Sequence, residues 1–408
     1  MSRATKQSHH FKIASPSARN DKTVYLMIRT KTLVIGGGPA GATAARFLAG
    51  SGTEAILVER DLSYVKPCGG GIPSTALEEL GIPEEKVTKR KITKMRIVSP
   101  KGESVEVGIK GGYLCITERG EFDSHLRETA KDKGASMLEA EFIRFNDIGK
   151  NIISTVRKKS TGEEIMIKSD YVVAADGITS RTASGVKSPN CGSLYTISAY
   201  IKPTPSLEGG GGDACEFWFS SNHASNFYSW IFPSRGYSSI GTGSTDAKEL
   251  STFLDRFIKR RFGIPLKDFA PLNFSKKTRA FRIPLWEGNL FNIKNILFAG
   301  DVAGMVMPIT YEGIYYAMKS GEFTARAIIE GRPDVYKRLW KSRFGNRFLL
   351  MSKIRNYLFK NDENIEKFVA LHKRPEVQEI AMRLWLRKEA GSSSLISYLN
   401  FFRHFLKI

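Results

Sequence analysis

Acidic residues are in short supply in this chain. Asp and Glu number 41 against 62 Lys and Arg, a formal net charge of +21 over 408 residues. So positive a field favours an anionic partner, whether nucleic acid, an anionic membrane or a phosphorylated substrate, although a basic host proteome gives the same balance. Long apolar runs are missing too. A membrane-spanning helix takes about 20 apolar residues, and no stretch supplies them. Cysteine is scarce: Cys68, Cys115, Cys191 and Cys215 stand alone, with no CxxC pair. That excludes a disulfide framework and a cysteine zinc site, leaves no candidate metal, and fits a reducing compartment such as the cytoplasm. Internal repeats are absent. So is any nucleic-acid motif, which argues against an RNA- or DNA-binding module despite the charge.

What is present is ordinary in bulk. Hydrophobic residues make up 41% and charged residues 25%, as in folded globular proteins. The length exceeds one simple core, so two or three lobes are expected. Residues 1–26 read as an appendage, polar and basic, with Asp21 the single acid and no apolar signal core. A disordered or spurious extension fits them better than a transit peptide, and ordered structure is expected from about Ile28, with Met27 a candidate start.

Lys31–Ile35 is a short apolar strand, Ala40–Ala49 a helix of small residues, and Thr53–Glu59 a strand with the continuous run Ala55, Ile56, Leu57, Val58. Continuous runs suit parallel strands buried on both faces, and strand, helix, strand in about thirty residues is a βαβ unit. From Ile92 to Ile116 the pattern alternates. Met95, Ile97, Val105, Val107 and Ile109 flank the turn Pro100-Lys101-Gly102, which predicts an antiparallel hairpin. Glu121–Gly134 reads as helix and Tyr171–Ala175 as buried strand. Tyr195–Ile283 is mostly strand, with Gly209–Gly212 a loop and one amphipathic helix bearing Leu250, Phe253, Leu254, Phe257 and Ile258 on one face. Asn295–Ala299 is a last core strand before a long helix, Glu312–Glu330. The expected fold is an α/β Rossmann-like domain (27–90, 118–186 and 290–330) interleaved with an antiparallel β-sheet substrate domain (91–117 and 187–289). A basic, helical C-terminal region (331–408) follows, with 17 Lys/Arg against 7 Asp/Glu.

Chemistry begins at Gly36-Gly37-Gly38-Pro39-Ala40-Gly41. Gly36 permits a tight turn, Gly38 lets a pyrophosphate approach the backbone, and Gly41 lets helix and strand pack closely. The helix N-terminus offers free N–H groups and a positive dipole end to the phosphates. Glu59, with Arg60 beside it, ends the second strand. A carboxylate there accepts hydrogen bonds from adenosine ribose hydroxyls and repels a 2′-phosphate, so the held dinucleotide is FAD or NAD rather than NADP. No second dinucleotide fingerprint exists: Gly241-Thr242-Gly243 has Asp246 at its third glycine position.

Two further motifs end strands: Ala174-Ala175-Asp176-Gly177, and Phe298-Ala299-Gly300-Asp301 with Gly304, Pro308 and Gly313 after it. Asp301 is placed to hold a ribityl hydroxyl, and Gly313 and Ile314 to aim N–H groups at a flavin. Taken singly, either aspartate is equally a helix cap. The set resembles the flavoproteins of the p-hydroxybenzoate hydroxylase fold. That resemblance makes the cofactor FAD and brings Arg119, in Thr117-Glu118-Arg119-Gly120-Glu121-Phe122-Asp123, near it; a surface salt bridge is the other reading of Arg119.

Lys66-Pro67-Cys68-Gly69-Gly70-Gly71-Ile72-Pro73 and Tyr228-Ser229-Trp230-Ile231-Phe232-Pro233, with Ile240-Gly241-Thr242-Gly243, narrow the resemblance to the geranylgeranyl reductases. The resemblance is especially to those that reduce prenyl tails of chlorophylls and bacteriochlorophylls, and Ile92-Thr93-Lys94-Met95 also fits that branch. The likeness implies that NADPH, visiting transiently, reduces FAD, and that hydride and a proton then saturate isolated double bonds of a prenylated small-molecule or lipid substrate. It places Cys68 and Gly69 at the flavin face. Cys68 is then a proton relay or only a small buried thiol. Tyr228, Trp230 and Phe232 alternate along a strand, and wall an isoprenoid channel or simply fill a sheet core. Ile396, Leu399, Phe402 and Leu406 share a helix face beside Arg403 and Lys407, which either rests on an anionic membrane surface or caps the substrate domain. An archaeal-type lipid or quinone prenyl reductase and a flavin-dependent aromatic hydroxylase are the rival functions.

Overall fold

Among the described residues two seven-stranded sheets and one three-stranded sheet organise the chain. The computed structural model describes residues 27–188, 191–202, 214–288 and 290–386; the expected N-terminal extension, the Gly209–Gly212 loop and the segment Ile396–Lys407 lie outside these.

The first sheet has a parallel centre. Met27–Ile35 lies between Ala55–Glu59 and Glu164–Ala174, parallel to both. Ser136–Ile148 joins the outer side of Ala55–Glu59, and Ile296–Phe298 the outer side of Glu164–Ala174. Leu33, Val34, Leu57, Val172 and Val173 are buried because helices cover the sheet. Pro39–Gly50 packs between Arg119–Asp132 and Ile314–Ile329. The strand expected over Tyr171–Ala175 is the second half of a longer one. Its first half, Glu164–Ser169, pairs antiparallel with Ile152–Lys158. Only Ile165, Met166 and Ile167 are apolar there, between Glu164 and Lys168-Ser169-Asp170, a run too short to mark the strand.

The second sheet runs in the order Phe274–Pro284, Ser193–Ile201, Ser238–Ser244, Ser229–Pro233, Ala214–Trp218, Lys94–Val98, Ser104–Gly108. The last two strands are the expected hairpin. It adds to the sheet through a parallel pairing of Lys94–Val98 with Ala214–Trp218. Helix Leu250–Phe262 covers one face and buries the five residues of its apolar stripe, each contributing roughly 1.5–3 kcal/mol relative to exposure. Gly263, in the left-handed region, ends it after a last turn of Lys259, Arg260 and Arg261 that complements the helix dipole.

Gly71–Pro73, Leu114–Thr117 and Thr88–Ile92 form the small sheet. The C-terminal helices Asp334–Trp340, Asn346–Leu358, Asp362–Leu371 and Pro375–Trp385 bridge the lobes. Tyr336 donates to the Phe298 carbonyl at 2.8 Å, while Asp362 accepts from Ser221 N–H at 2.8 Å in the antiparallel lobe. Among the described residues no helix is long and apolar enough to cross a membrane.

Candidate active site

One continuous cavity of about 530 Å³ runs from the first glycine turn to the C-terminal helices. At its first end the chain leaves the central strand and enters helix Pro39–Gly50. Gly36 takes φ 103° beneath the Ala175 carbonyl, and a Cβ on Gly41 would collide with the Gly36 carbonyl oxygen. The turn is therefore a place where only main chain fits. The helix has no side-chain cap and no acid in its first turn, and space beside Gly38 is open. These are uncommitted donors facing a void, the arrangement that holds phosphate. Glu59 accepts from Gly37 N–H at 2.6 Å and from Asp61 N–H at 3.1 Å, fixing its carboxylate at the rim with Arg60 beside it.

Arg127 completes this end and was not among the expected residues. Its guanidinium donates to the carbonyls of Gly37 (3.3 Å) and Leu62 (3.0 Å). The signal was available: Arg119, Asp123 and Arg127 recur every four residues on one helix, which puts three charges on one face. All three are buried and line the cavity.

In the middle, the loop Lys66–Gly70 crosses the cavity. Thr117 pins it, donating from N–H (2.9 Å) and hydroxyl (3.1 Å) to the Gly70 carbonyl. Cys68 Sγ accepts from Gly70 N–H at 3.3 Å. Arg119 forms a two-pronged pair with Asp123 at 3.1 and 2.8 Å and also faces the Cys68 sulfur. Burial alone would lower the Arg119 guanidinium, but Asp123 and Cys68 outweigh it and hold it above its ordinary value. Arg119 is thus in an ion pair, but a buried one rather than one on the surface. Asp301 pairs with Lys66. Asp176 accepts from Ser180 (2.7 Å) and from Thr182 hydroxyl (2.6 Å) and N–H (3.0 Å), capping the segment after it while lining the cavity beside Gly177. Gly313 and Ile314 open the last long helix at the cavity wall, again without a side-chain cap. Gly304 closes the turn Gly300–Ala303 at φ 67°, three residues after Asp301.

At the far end Tyr228, Trp230 and Phe232 do share the cavity face, joined by Phe217, Phe227 and Tyr311. Ring centroids lie 5.2 Å apart for Phe217 and Tyr228, 5.3 Å for Phe217 and Phe232, and 4.2 Å for Phe227 and Tyr311. Gly241 leaves the space that the Trp230 ring occupies, so the glycines dismissed as a nucleotide signal belong to this wall. Tyr228 donates to the Thr310 carbonyl at 2.7 Å, and burial pushes its phenol well above the ordinary range. The segment before Gly313 carries Ile309 at φ 80° and Tyr311 at φ 52°. A β-branched residue there is strained, and such strain gathers at functional sites. Met351, Ile354 and Met382 of the C-terminal helices finish the wall.

Behind the aromatic strand, His223 N–H donates to Ser229 (2.8 Å), Ser229 donates to Thr242 (2.9 Å), and Thr242 donates to the His223 carbonyl. Arg260 donates to the other ring nitrogen at 3.2 Å, so the ring is neutral. Burial, aided by Arg260, pushes His223 down to about 3.

Comparison with known proteins agrees with this geometry. The family described as "FAD binding domain" matches residues 29–325. Geranylgeranyl diphosphate reductase of Rhodobacter capsulatus is 30% identical over 371 residues, 87% of this chain and 91% of that protein. Digeranylgeranylglycerophospholipid reductase of Methanocaldococcus jannaschii is 30% identical over 81% of this chain and 87% of that protein. The crystal structure of a geranylgeranyl bacteriochlorophyll reductase-like protein from Thermoplasma acidophilum superposes with a TM-score of 0.77 at 22% identity, covering 93% of this chain and 98% of that one. A flavin-dependent brominase shares the fold at a TM-score of 0.70 and 16% identity. The chain is an FAD-dependent oxidoreductase and belongs to the geranylgeranyl reductase family.

Proposed function

We propose that the protein saturates isolated C=C bonds of a prenyl chain, a geranylgeranyl group carried by a chlorophyll-type pigment or a diphosphate, with NADPH as reductant. The observation that carries this reading is the single cavity, which joins a dinucleotide seat to an aromatic, apolar channel with Cys68 between them.

The residues present fit FAD. Gly36–Gly41 and the uncapped helix behind them receive the pyrophosphate, and Glu59 receives the adenosine ribose. Asp301 and Asp176, with Gly177, would hold the flavin half, and Gly313 and Ile314 would offer N–H groups to its ring. When bound, FAD supplies the hydride. An isolated alkene accepts hydride poorly, so a proton must lead or accompany it. In this reading Cys68 passes that proton, and Arg119, fixed by Asp123, orients its sulfur. Tyr228 holds its own proton on the Thr310 carbonyl and so serves as wall. The faces of Tyr228, Trp230 and Phe232 exclude water and stabilise positive charge developing on the chain.

Cys68→Ala tests the relay in a single-turnover alkene reduction. A loss of rate with FAD retained supports it, and full retention of rate removes it. The basic C-terminal region supports docking on an anionic bilayer that presents the substrate. Liposome flotation at low salt checks this, and an absence of binding to anionic vesicles would remove the membrane from the account.

A further inference from the structure

Lys66 is a cation on the cavity wall that the mechanism above leaves unused. It stands two residues before Cys68, and its ammonium pairs with Asp301 across 235 positions of sequence. The same ammonium lies 4.6 Å from the centre of the Phe281 ring. Lys66 is thereby held between the antiparallel sheet and the start of the last long helix. That start is close: a Cβ on Gly313 would lie 3.7 Å from the Asp301 carboxylate. Helix Ile314–Ile329 has no side-chain cap and no acid in its first turn. Two sources of positive potential, Lys66 and a helix N-terminus, therefore meet at Asp301, while Glu312, on the cavity wall just before Gly313, accepts from the Thr310 hydroxyl at 3.2 Å. Arg279 adds a third cation on the exposed side, donating to the Val65 carbonyl at 3.3 Å.

The position along the cavity decides what this charge acts on. The uncapped N-terminus of Pro39–Gly50 and Glu59 take the phosphates and the adenosine at the first end. Lys66 instead touches Phe281, whose neighbours Ile283 and Thr196 line the cavity on the substrate-sheet side. An FAD held at the glycine turn would extend along the cavity and bring its ring system toward that side. Reduction of the ring by two electrons and one proton leaves it with one more negative charge than before.

We propose that Lys66 lies against the flavin ring of bound FAD and raises its reduction potential, by favouring the charge gained on reduction, with Asp301 as its positioning partner. The inference rests on the FAD reading and not on the identity of the prenyl substrate. The test uses the full chain loaded with FAD, as wild type, Lys66→Gln and Lys66→Arg. Anaerobic dithionite titration against a reference dye reads the midpoint potential with no prenyl compound present. Lys66→Gln is expected to shift the two-electron equilibrium at least tenfold toward oxidised flavin, ~30 mV. Lys66→Arg is expected to stay near wild type. A Lys66→Gln potential equal to wild type would overturn the proposal. If Lys66→Gln releases FAD, the dissociation constants for oxidised and reduced FAD read the same quantity. Selective loss of the reduced form supports the proposal. Equal weakening of both forms overturns it and makes Lys66 a mere anchor. Failure to saturate any prenyl chain would leave this result untouched.

Discussion

The two ends of the cavity are built from different materials. The nucleotide end is made of main chain. Gly36, Gly38 and Gly41 keep side chains away, one uncapped helix supplies donors, and Glu59 is fixed by two N–H groups. The prenyl end is made of rings brought from several segments: Phe217, Tyr228 with Trp230, and Tyr311. The first end recognises charge and hydroxyls at fixed points, which backbone geometry does well. The second accepts a long apolar chain, where shape and area suffice. Gly36 and Gly41 at the first end leave no room for a new atom, whereas the second end can lose one ring and still exclude water.

That contrast sets the order of expected effects. Gly41→Val forces side-chain atoms into the Gly36 carbonyl, which the main chain cannot yield. Nearly complete loss of bound FAD is expected, read from the ratio of flavin to protein absorbance, and normal retention would break the comparison at its firmest point. Trp230→Ala opens the opposite end. FAD retention is expected to stay near wild type, while kcat/KM for the prenyl substrate falls roughly tenfold or more, equivalent to ~1.4 kcal/mol or greater of transition-state stabilisation. FAD loss in that variant would show that the ends are not separable.

His223 gives the prenyl end a pH signature. Its folded value, about 3, lies below its unfolded value. The folded state therefore resists protonation. Stability is full above about pH 6.5 and falls by up to ~1.4 kcal/mol per pH unit as pH drops from there toward 3. In urea unfolding at a series of pH values, His223→Gln should flatten this slope. An unchanged slope would place the acid sensitivity elsewhere. The smallest effect belongs to Tyr228→Phe, which removes the bond to the Thr310 carbonyl. A cost of about 1 kcal/mol in the same assay is expected, with little change in single-turnover rate. A large rate loss would mean that the hydroxyl moves a proton after all.

The same contrast explains what was legible in the sequence. The glycine turn, Glu59 and the buried parallel strands could be read because their chemistry is local. A turn needs glycine within a few residues, and a doubly covered strand shows as an unbroken apolar run. The alternation of Tyr228, Trp230 and Phe232 was legible as a shared face, but not the reason Gly241 stands opposite Trp230. The pair of Lys66 with Asp301 joins residues 235 positions apart. Phe217 reaches the wall because Ala214–Trp218 sets it opposite Trp230 on one side and pairs in parallel with the distant Lys94–Val98 on the other. Such contacts depend on strand pairing, which local pattern does not specify. Gly304 follows Asp301 closely, and the structure shows what local pattern does not, that its left-handed conformation closes the turn Gly300–Ala303.

The central claim is that both ends meet over one alkene. Its most direct test is anaerobic incubation of the reduced enzyme with geranylgeranyl diphosphate, followed by mass spectrometry of the product. The account requires gains of two hydrogens for each double bond saturated, with flavin reoxidised in step. Unaltered prenyl mass, alongside oxygen consumption stimulated by phenols in the aerobic enzyme, would contradict it and turn the cavity over to aromatic hydroxylation.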